Sequence, residues 1–131
     1  MEQKAVLVIE DSPAWQELHK RVMRAAGFSV HVSGTCTDGV RLAGLLRPDC
    51  IILDFHLPDG DAGSVCAELR QCETTKDIPV ILFSSDPDAE IEAAASCGGA
   101  SFMLKGWEQL SQLPTTIDRL LGSKKRDCPQ L

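Results

Sequence analysis

The sequence predicts an α/β protein: a doubly wound, five-stranded parallel sheet flanked by five helices. Three observations carry this expectation. Short β-rich runs alternate regularly with segments whose apolar residues recur at helical spacing. Successive runs are separated by at least about a dozen residues, which a parallel crossover needs and a hairpin does not. The run Cys50-Ile51-Ile52-Leu53 is apolar without interruption, as in a strand buried on both faces. At 131 residues the chain suits one domain, placed at 1–122, with a short polar tail at 123–131 that is expected to fray.

Each element has its own signal. Ala5 to Ile9 is a β-rich run that ends in the acidic pair Glu10-Asp11. Ser12 is a suitable helix cap and Pro13 a suitable first-turn residue, and Trp15, Leu18, Val22 and Ala25 form one apolar face before Gly27 closes the helix. Phe28 to Ser33 reads as the second strand. Thr37 or Asp38 opens a helix carrying Val40, Ala43 and Leu46, which must stop before Pro48. The third strand ends at Asp54, and Pro58 with Asp59-Gly60 marks a loop. Ala62, Val65, Cys66 and Leu69 give the next helical face. Ile78 to Phe83, with Pro79 near its start, is the fourth strand and ends in Ser84-Ser85.

Asp86-Pro87 reads as a cap and first-turn proline, and Asp88 and Glu90 suit the positive end of the helix that follows. Ile91, Ala94 and Ala95 are its expected inner face, and Gly98-Gly99 terminate it. The fifth strand, Ser101 to Leu104, has Lys105 at its tip. The final helix is expected to begin at Pro114 after a turn through Trp107 and Leu110, with Ile117, Leu120 and Leu121 inward, because an interior proline disfavours a continuous helix by ~3 kcal/mol.

Composition narrows the function classes. A content of 44% hydrophobic and 24% charged residues is ordinary for a globular domain, and a formal charge of -6 argues against a general nucleic-acid binder. No apolar run approaches the ~20 residues of a membrane span, and Met1-Glu2-Gln3-Lys4 lacks signal-peptide anatomy, so a cytoplasmic location is expected. Cys50 lies in an apolar strand, and Cys66, Cys72 and Cys97 lie in helical patterns, without a CxxC or a Cys/His cluster at zinc spacing. Most cysteines therefore read as small buried hydrophobes, with Cys128 in the tail as the reactive thiol. There is no phosphate-binding glycine loop, and Asp59-Gly60-Asp61-Ala62-Gly63 lacks the spaced acids and terminal Glu of an EF-hand. Trp15 and Trp107 read as packing residues.

The chemistry collects at the strand tips. In a parallel sheet Glu10-Asp11, Asp54, Ser84 and Lys105 all fall on the C-terminal edge, where open α/β sheets bind ligands. Three carboxylates together repel unless a cation sits among them, and hard oxygens with room for water suit Mg²⁺. A hydroxyl and an ammonium nearby suit phosphoryl oxygens. The set describes a carboxylate nucleophile, a divalent metal and two phosphate-oxygen partners.

In residues 4–121 the sequence resembles the CheY-like receiver domain of two-component response regulators. The resemblance rests on Val-Leu-Val-Ile-Glu10-Asp11, on Leu53-Asp54-Phe-His-Leu-Pro58-Asp-Gly-Asp61, on Pro79-Val-Ile-Leu-Phe-Ser84-Ser85 and on Gly99-Ala100-Ser-Phe102-Met-Leu-Lys105. It implies a flavodoxin-like strand order 2-1-3-4-5. It makes Asp54 the acceptor of a phosphoryl group from a sensor histidine kinase or a histidine phosphotransfer protein. Mg²⁺ would be held by Glu10, Asp11, Asp54 and the backbone carbonyl of His56. Lys105 would pair with Asp54 and then with the phosphoryl group. Ser84 would bond a phosphoryl oxygen and let Phe102 rotate inward. His56 and Asp86 flank the reaction centre at positions that influence dephosphorylation. Asp86 also has a complete explanation as a cap, and His56 is expected to face solvent.

Three positions depart from the family pattern. Gly106 stands where a proline with a cis peptide bond is usual, Ala62 where a glycine is usual, and Glu10 where Asp is common. None deletes a functional group, so phosphorylation is the expected outcome. With no effector segment after residue 121, output is expected from the surface around the fourth and fifth strands and the last helix, docking a downstream protein. The alternatives are a receiver-fold docking module that never uses its pocket, and a small phosphatase-like enzyme. The latter lacks a general acid right after the nucleophile, since Phe55 and His56 follow Asp54.

Overall fold

A computed structural model describes residues 3–126. The strands are β1 (Ala5–Ile9), β2 (Ser29–Ser33), β3 (Cys50–Leu53), β4 (His56–Leu57), β5 (Gly60–Asp61), β6 (Val80–Ser84) and β7 (Ser101–Leu104). The helices are α1 (Pro13–Ala25), α2 (Cys36–Leu46), α3 (Ala62–Arg70), α4 (Ala89–Ser96) and α5 (Trp107–Arg126). Five strands form one parallel sheet in the order β2-β1-β3-β6-β7. This is the expected 2-1-3-4-5, with β6 and β7 as the fourth and fifth long strands. The pair β4 and β5, which the sequence did not announce, forms a small antiparallel hairpin just after Asp54.

The two-residue period of the strands sorts the core into two layers. Leu7, Ile9, Ile51, Leu53 and Leu82 pack with Ala43 of α2 and with Ala62, Val65, Cys66 and Leu69 of α3. Val6, Val8, Ile52, Ile81 and Phe83 face the opposite way, onto Met23 of α1 and Leu110, Leu113, Ile117 and Leu121 of α5. Both faces are covered, which is why β3 reads as an unbroken apolar run. Gly39 lets α2 approach the sheet: a Cβ there would stand 2.6 Å from Cδ1 of Ile9.

Of the helix caps, Ser12 is the one the sequence indicates. The Ser12 side chain accepts from the Trp15 N–H at the start of α1, with Pro13 in the first turn. Thr35 caps α2 by accepting from the Asp38 N–H, so α2 begins at Cys36, slightly ahead of the expected Thr37 or Asp38. Asp61 caps α3 through the Ser64 N–H.

Four expectations are corrected. α5 is continuous through Pro114, because Leu110 and Leu113 before it and Ile117 and Leu121 after it are all buried on one face. Their burial, worth roughly 1.5–3 kcal/mol per side chain, exceeds the penalty of one missing N–H. On α4 the expected inner residues Ile91, Ala94 and Ala95 are exposed, and Ala89 at its start and Cys97 just past its end are buried instead. Eight residues are too few for periodicity to define a face securely. The buried positions of α1 include His19 and Met23, whereas Ala25 is exposed; Leu46 of α2 is only partly covered, at 37% exposed. Cys72 lies beyond α3 and is exposed, whereas Cys36, Cys50, Cys66 and Cys97 are buried free thiols. The helix α5 runs to Arg126, and Cys128 lies outside the described residues.

Candidate functional site

Strand register places the acidic and basic side chains together. Glu10 and Asp11 leave β1 and Asp54 leaves the adjacent β3, where the Asp54 N–H donates to the Ile9 carbonyl at 2.9 Å. Lys105 leaves β7, and its N–H donates to the Ser84 carbonyl at the end of β6 at 2.8 Å. Carboxylate oxygens of Glu10, Asp11 and Asp54 lie within 4.8 Å of one another. The Lys105 ammonium reaches across, with Nζ 2.7 Å from Oε1 of Glu10 and 3.2 Å from Oδ2 of Asp54.

Burial grades the acids. Glu10 is 2% exposed, Asp54 is half-buried and Asp11 faces solvent. Burial raises the Glu10 carboxyl above its ordinary range, opposed by its hydrogen bonds from Lys105 and the Ser12 N–H, with Asp54 adding a further upward push. One ammonium among three acids leaves an excess of negative charge at a partly open rim. Hard oxygens in that state fit a divalent cation such as Mg²⁺.

The remaining expected residues make contacts of their own. Ser84 is buried, and its Oγ accepts from the Asp86 N–H at 3.2 Å. Oδ1 of Asp86 accepts from the Asp88 N–H at 3.0 Å and the Asp86 carbonyl accepts from the Ala89 N–H, so Asp86 shapes a turn ahead of α4, which begins only at Ala89, and is not its cap as expected, nor is Pro87 in its first turn. The same carboxylate meets His56: Nε2 lies 3.6 Å from Oδ2, and both side chains are substantially exposed. Phe102 is half-buried against the layer containing Leu82. No peptide bond among the described residues is cis, so Gly106 follows Lys105 through a trans bond.

Three neighbours were not anticipated as site residues. Asp59 binds the start of α2, accepting from the Cys36 N–H at 2.7 Å and from the N–H and hydroxyl of Thr37. Those backbone N–H groups hold its carboxyl far below the ordinary range and tie the β4–β5 hairpin to the sheet edge. Trp15 lies against Lys105, with Nζ 5.4 Å from the ring centroid. His19, one turn further along α1, is 1% exposed and its Nδ1 has no hydrogen-bond partner. Burial, reinforced by the Lys105 charge, lowers its pKa to about 4. The spacing of Trp15 and His19, four residues apart just after the acids, was the available signal.

The family model for the response regulator receiver domain matches residues 6–118. The chain belongs to that family. Among curated proteins, this receiver domain is 39% identical over 80 residues to the DNA-binding dual master transcriptional regulator RpaA of a Synechocystis species, covering 61% of this chain and 33% of RpaA. It is 34% identical over 95 residues to the KDP operon transcriptional regulatory protein KdpE of Escherichia coli, covering 72% of this chain and 41% of KdpE. The chain thus spans well under two thirds of these curated relatives. Among solved structures, the receiver domain of a signal transduction histidine kinase from Syntrophus aciditrophicus superposes with a TM-score of 0.82 at 30% identity, covering 98% of this chain and 96% of that one. The receiver domain of sensor histidine kinase PA1611 from Pseudomonas aeruginosa, described with a magnesium ion coordinated in its active-site cleft, shares the fold. Its TM-score is 0.84 at 24% identity, and 92% and 99% of the two chains are covered. No helix among the described residues is long and apolar enough to cross a membrane.

Proposed function

We propose that this receiver domain accepts a phosphoryl group on Asp54 from the phosphohistidine of a sensor histidine kinase or phosphotransfer protein, in a Mg²⁺-dependent reaction. The observation that carries the reading is the Lys105 ammonium bridging Glu10 and Asp54 within the three-carboxylate cluster. An Asp54 oxygen attacks phosphorus, the O–P bond forms as the N–P bond breaks, and the imidazole leaves with the bonding electron pair and takes up a proton. Glu10, Asp11, Asp54 and the His56 carbonyl would hold Mg²⁺, which when bound offsets the charge that gathers on the phosphoryl oxygens. Lys105 then pairs with the phosphoryl group, keeping its contact with Glu10.

The output follows from Ser84. Its Oγ accepts from the Asp86 N–H, which leaves the hydroxyl hydrogen to donate to a phosphoryl oxygen, and a swing of the side chain toward that oxygen would pull on the turn feeding α4. α4 is lightly anchored: Ala89 at its start and Cys97 just past its end are buried, while Ile91 is 76% exposed. Phe102 rotates inward as the turn shifts, and the surface of β6, β7 and α5 changes its affinity for a downstream protein. Leu104 and Trp107 are exposed on that surface. His56 and Asp86, whose side chains meet with Nε2 3.6 Å from Oδ2, are both proposed modulators of acyl-phosphate hydrolysis.

The test is intact mass after incubation with a small phosphodonor and Mg²⁺. Wild type should gain one acid-stable, base-labile phosphoryl group and Asp54→Asn none. A wild type that stays unmodified would favour a docking module that does not use the pocket. Phosphate released over many turnovers would favour a phosphatase-like enzyme.

A further inference from the structure

We propose that Trp15 is a positioning residue for Lys105, its indole face holding the ammonium at the phosphoacceptor rim. The inference rests on the phosphotransfer reading for its consequence, but not for the contact itself. Lys105 has two polar partners in the cluster, Oε1 of Glu10 at 2.7 Å and Oδ2 of Asp54 at 3.2 Å. Its third neighbour is the Trp15 ring, 5.4 Å from Nζ to the centroid, within the range of a cation–π contact. The Lys105 side chain is only 9% exposed, so water does little to screen that attraction.

The indole is itself held in place. It packs edge-on to Phe83 at 5.7 Å between centroids and 73° between planes, and tilted against His19 at 6.2 Å. His19 in turn meets Phe83 edge-on at 5.2 Å. Three rings from α1 and β6 therefore form a fixed wall, and Phe83 immediately precedes Ser84. The neutral His19 imidazole adds no repulsion toward the ammonium.

This wall matters most after transfer. The Asp54 oxygen then carries phosphorus, and Lys105 must move from a carboxylate to a phosphoryl oxygen without retreating along its flexible stem. Glu10 and Trp15 are the two contacts that persist through that exchange. An apolar side chain of other shape at position 15 would fill space without attracting the charge.

The test compares Trp15→Leu with Trp15→Phe, which keeps an aromatic face. With a small phosphodonor at saturating Mg²⁺, Trp15→Leu should be phosphorylated about fivefold more slowly, and Trp15→Phe within about twofold of wild type. Equal rates for all three proteins, or equal losses in both variants, would overturn the proposal. A second arm needs no reaction. In a Trp107→Phe background Trp15 is the sole tryptophan, and Lys105→Met should shift its emission or intensity; an unchanged spectrum removes the contact and the proposal with it. A wild type that takes no phosphate counts against the phosphotransfer reading, and the fluorescence arm then decides the positioning claim.

Discussion

Acidification should weaken this protein through one buried side chain. His19 is neutral in the folded state with a pKa of about 4, against 6.5 when unfolded, because burial and the nearby Lys105 disfavour its charged form. A histidine lowered on folding contributes its full stability above the unfolded value and loses it as pH falls toward the folded value, since only the unfolded chain binds the proton readily. Across these two values the loss amounts to roughly 2 kcal/mol between pH 7 and pH 5. Glu10 acts in the opposite sense: its raised pKa makes the native state bind protons more readily, which adds stability on acidification. The two effects separate by mutation. Urea unfolding of wild type and His19→Leu at pH 7 and pH 5 isolates the histidine, because Glu10 is present in both. His19→Leu should lose about 2 kcal/mol less than wild type over that interval. It also removes the partnerless Nδ1, so its stability at pH 7 should suffer little from the substitution. Parallel pH dependence in the two proteins would refute the reasoning, because His19 would then titrate alike folded and unfolded.

Other substitutions probe the architecture and the site. Gly39→Ala drives a methyl to 2.6 Å from Ile9 in a fully buried contact, and thermal unfolding should show a loss of about 1–3 kcal/mol. Pro114→Ala restores an N–H to the interior of α5 and should raise Tm, by up to ~3 kcal/mol in stability; an unchanged Tm would mean that the helix loses nothing at that turn. Asp59→Asn removes the anion from the start of α2, so its urea midpoint should fall below that of wild type at pH 7, with the gap closing as acid protonates the wild-type carboxyl. Mg²⁺ should raise the Tm of wild type in a concentration-dependent way and that of Glu10→Gln much less, as differential scanning with and without chelator will show.

Local rules explain what could be read from residues alone. The cap at Ser12 satisfies a backbone group three positions on, so α1 announces its start, whereas the caps of α2 and α3, Thr35 and Asp61, were not picked out from the sequence. The alternation of strand and helix implies parallel strands, and parallel strands bring Glu10, Asp11, Asp54, Ser84 and Lys105 to one edge whatever the details of packing.

Packing decided the rest. Pro114 breaks a local rule and α5 continues because Leu110, Leu113, Ile117 and Leu121 are gripped by the sheet. The inner side of α4, the hairpin clamped by Asp59, and the burial of His19 against Phe83 depend on neighbours distant in sequence. Trp15 read as a packing residue because an amphipathic pattern reports which side of a helix turns inward. It does not report that the group met there is a lysine arriving from the far end of the chain. Periodicity and capping are properties of neighbouring residues and survive translation into one dimension; which side chain touches which is settled only when the layers close.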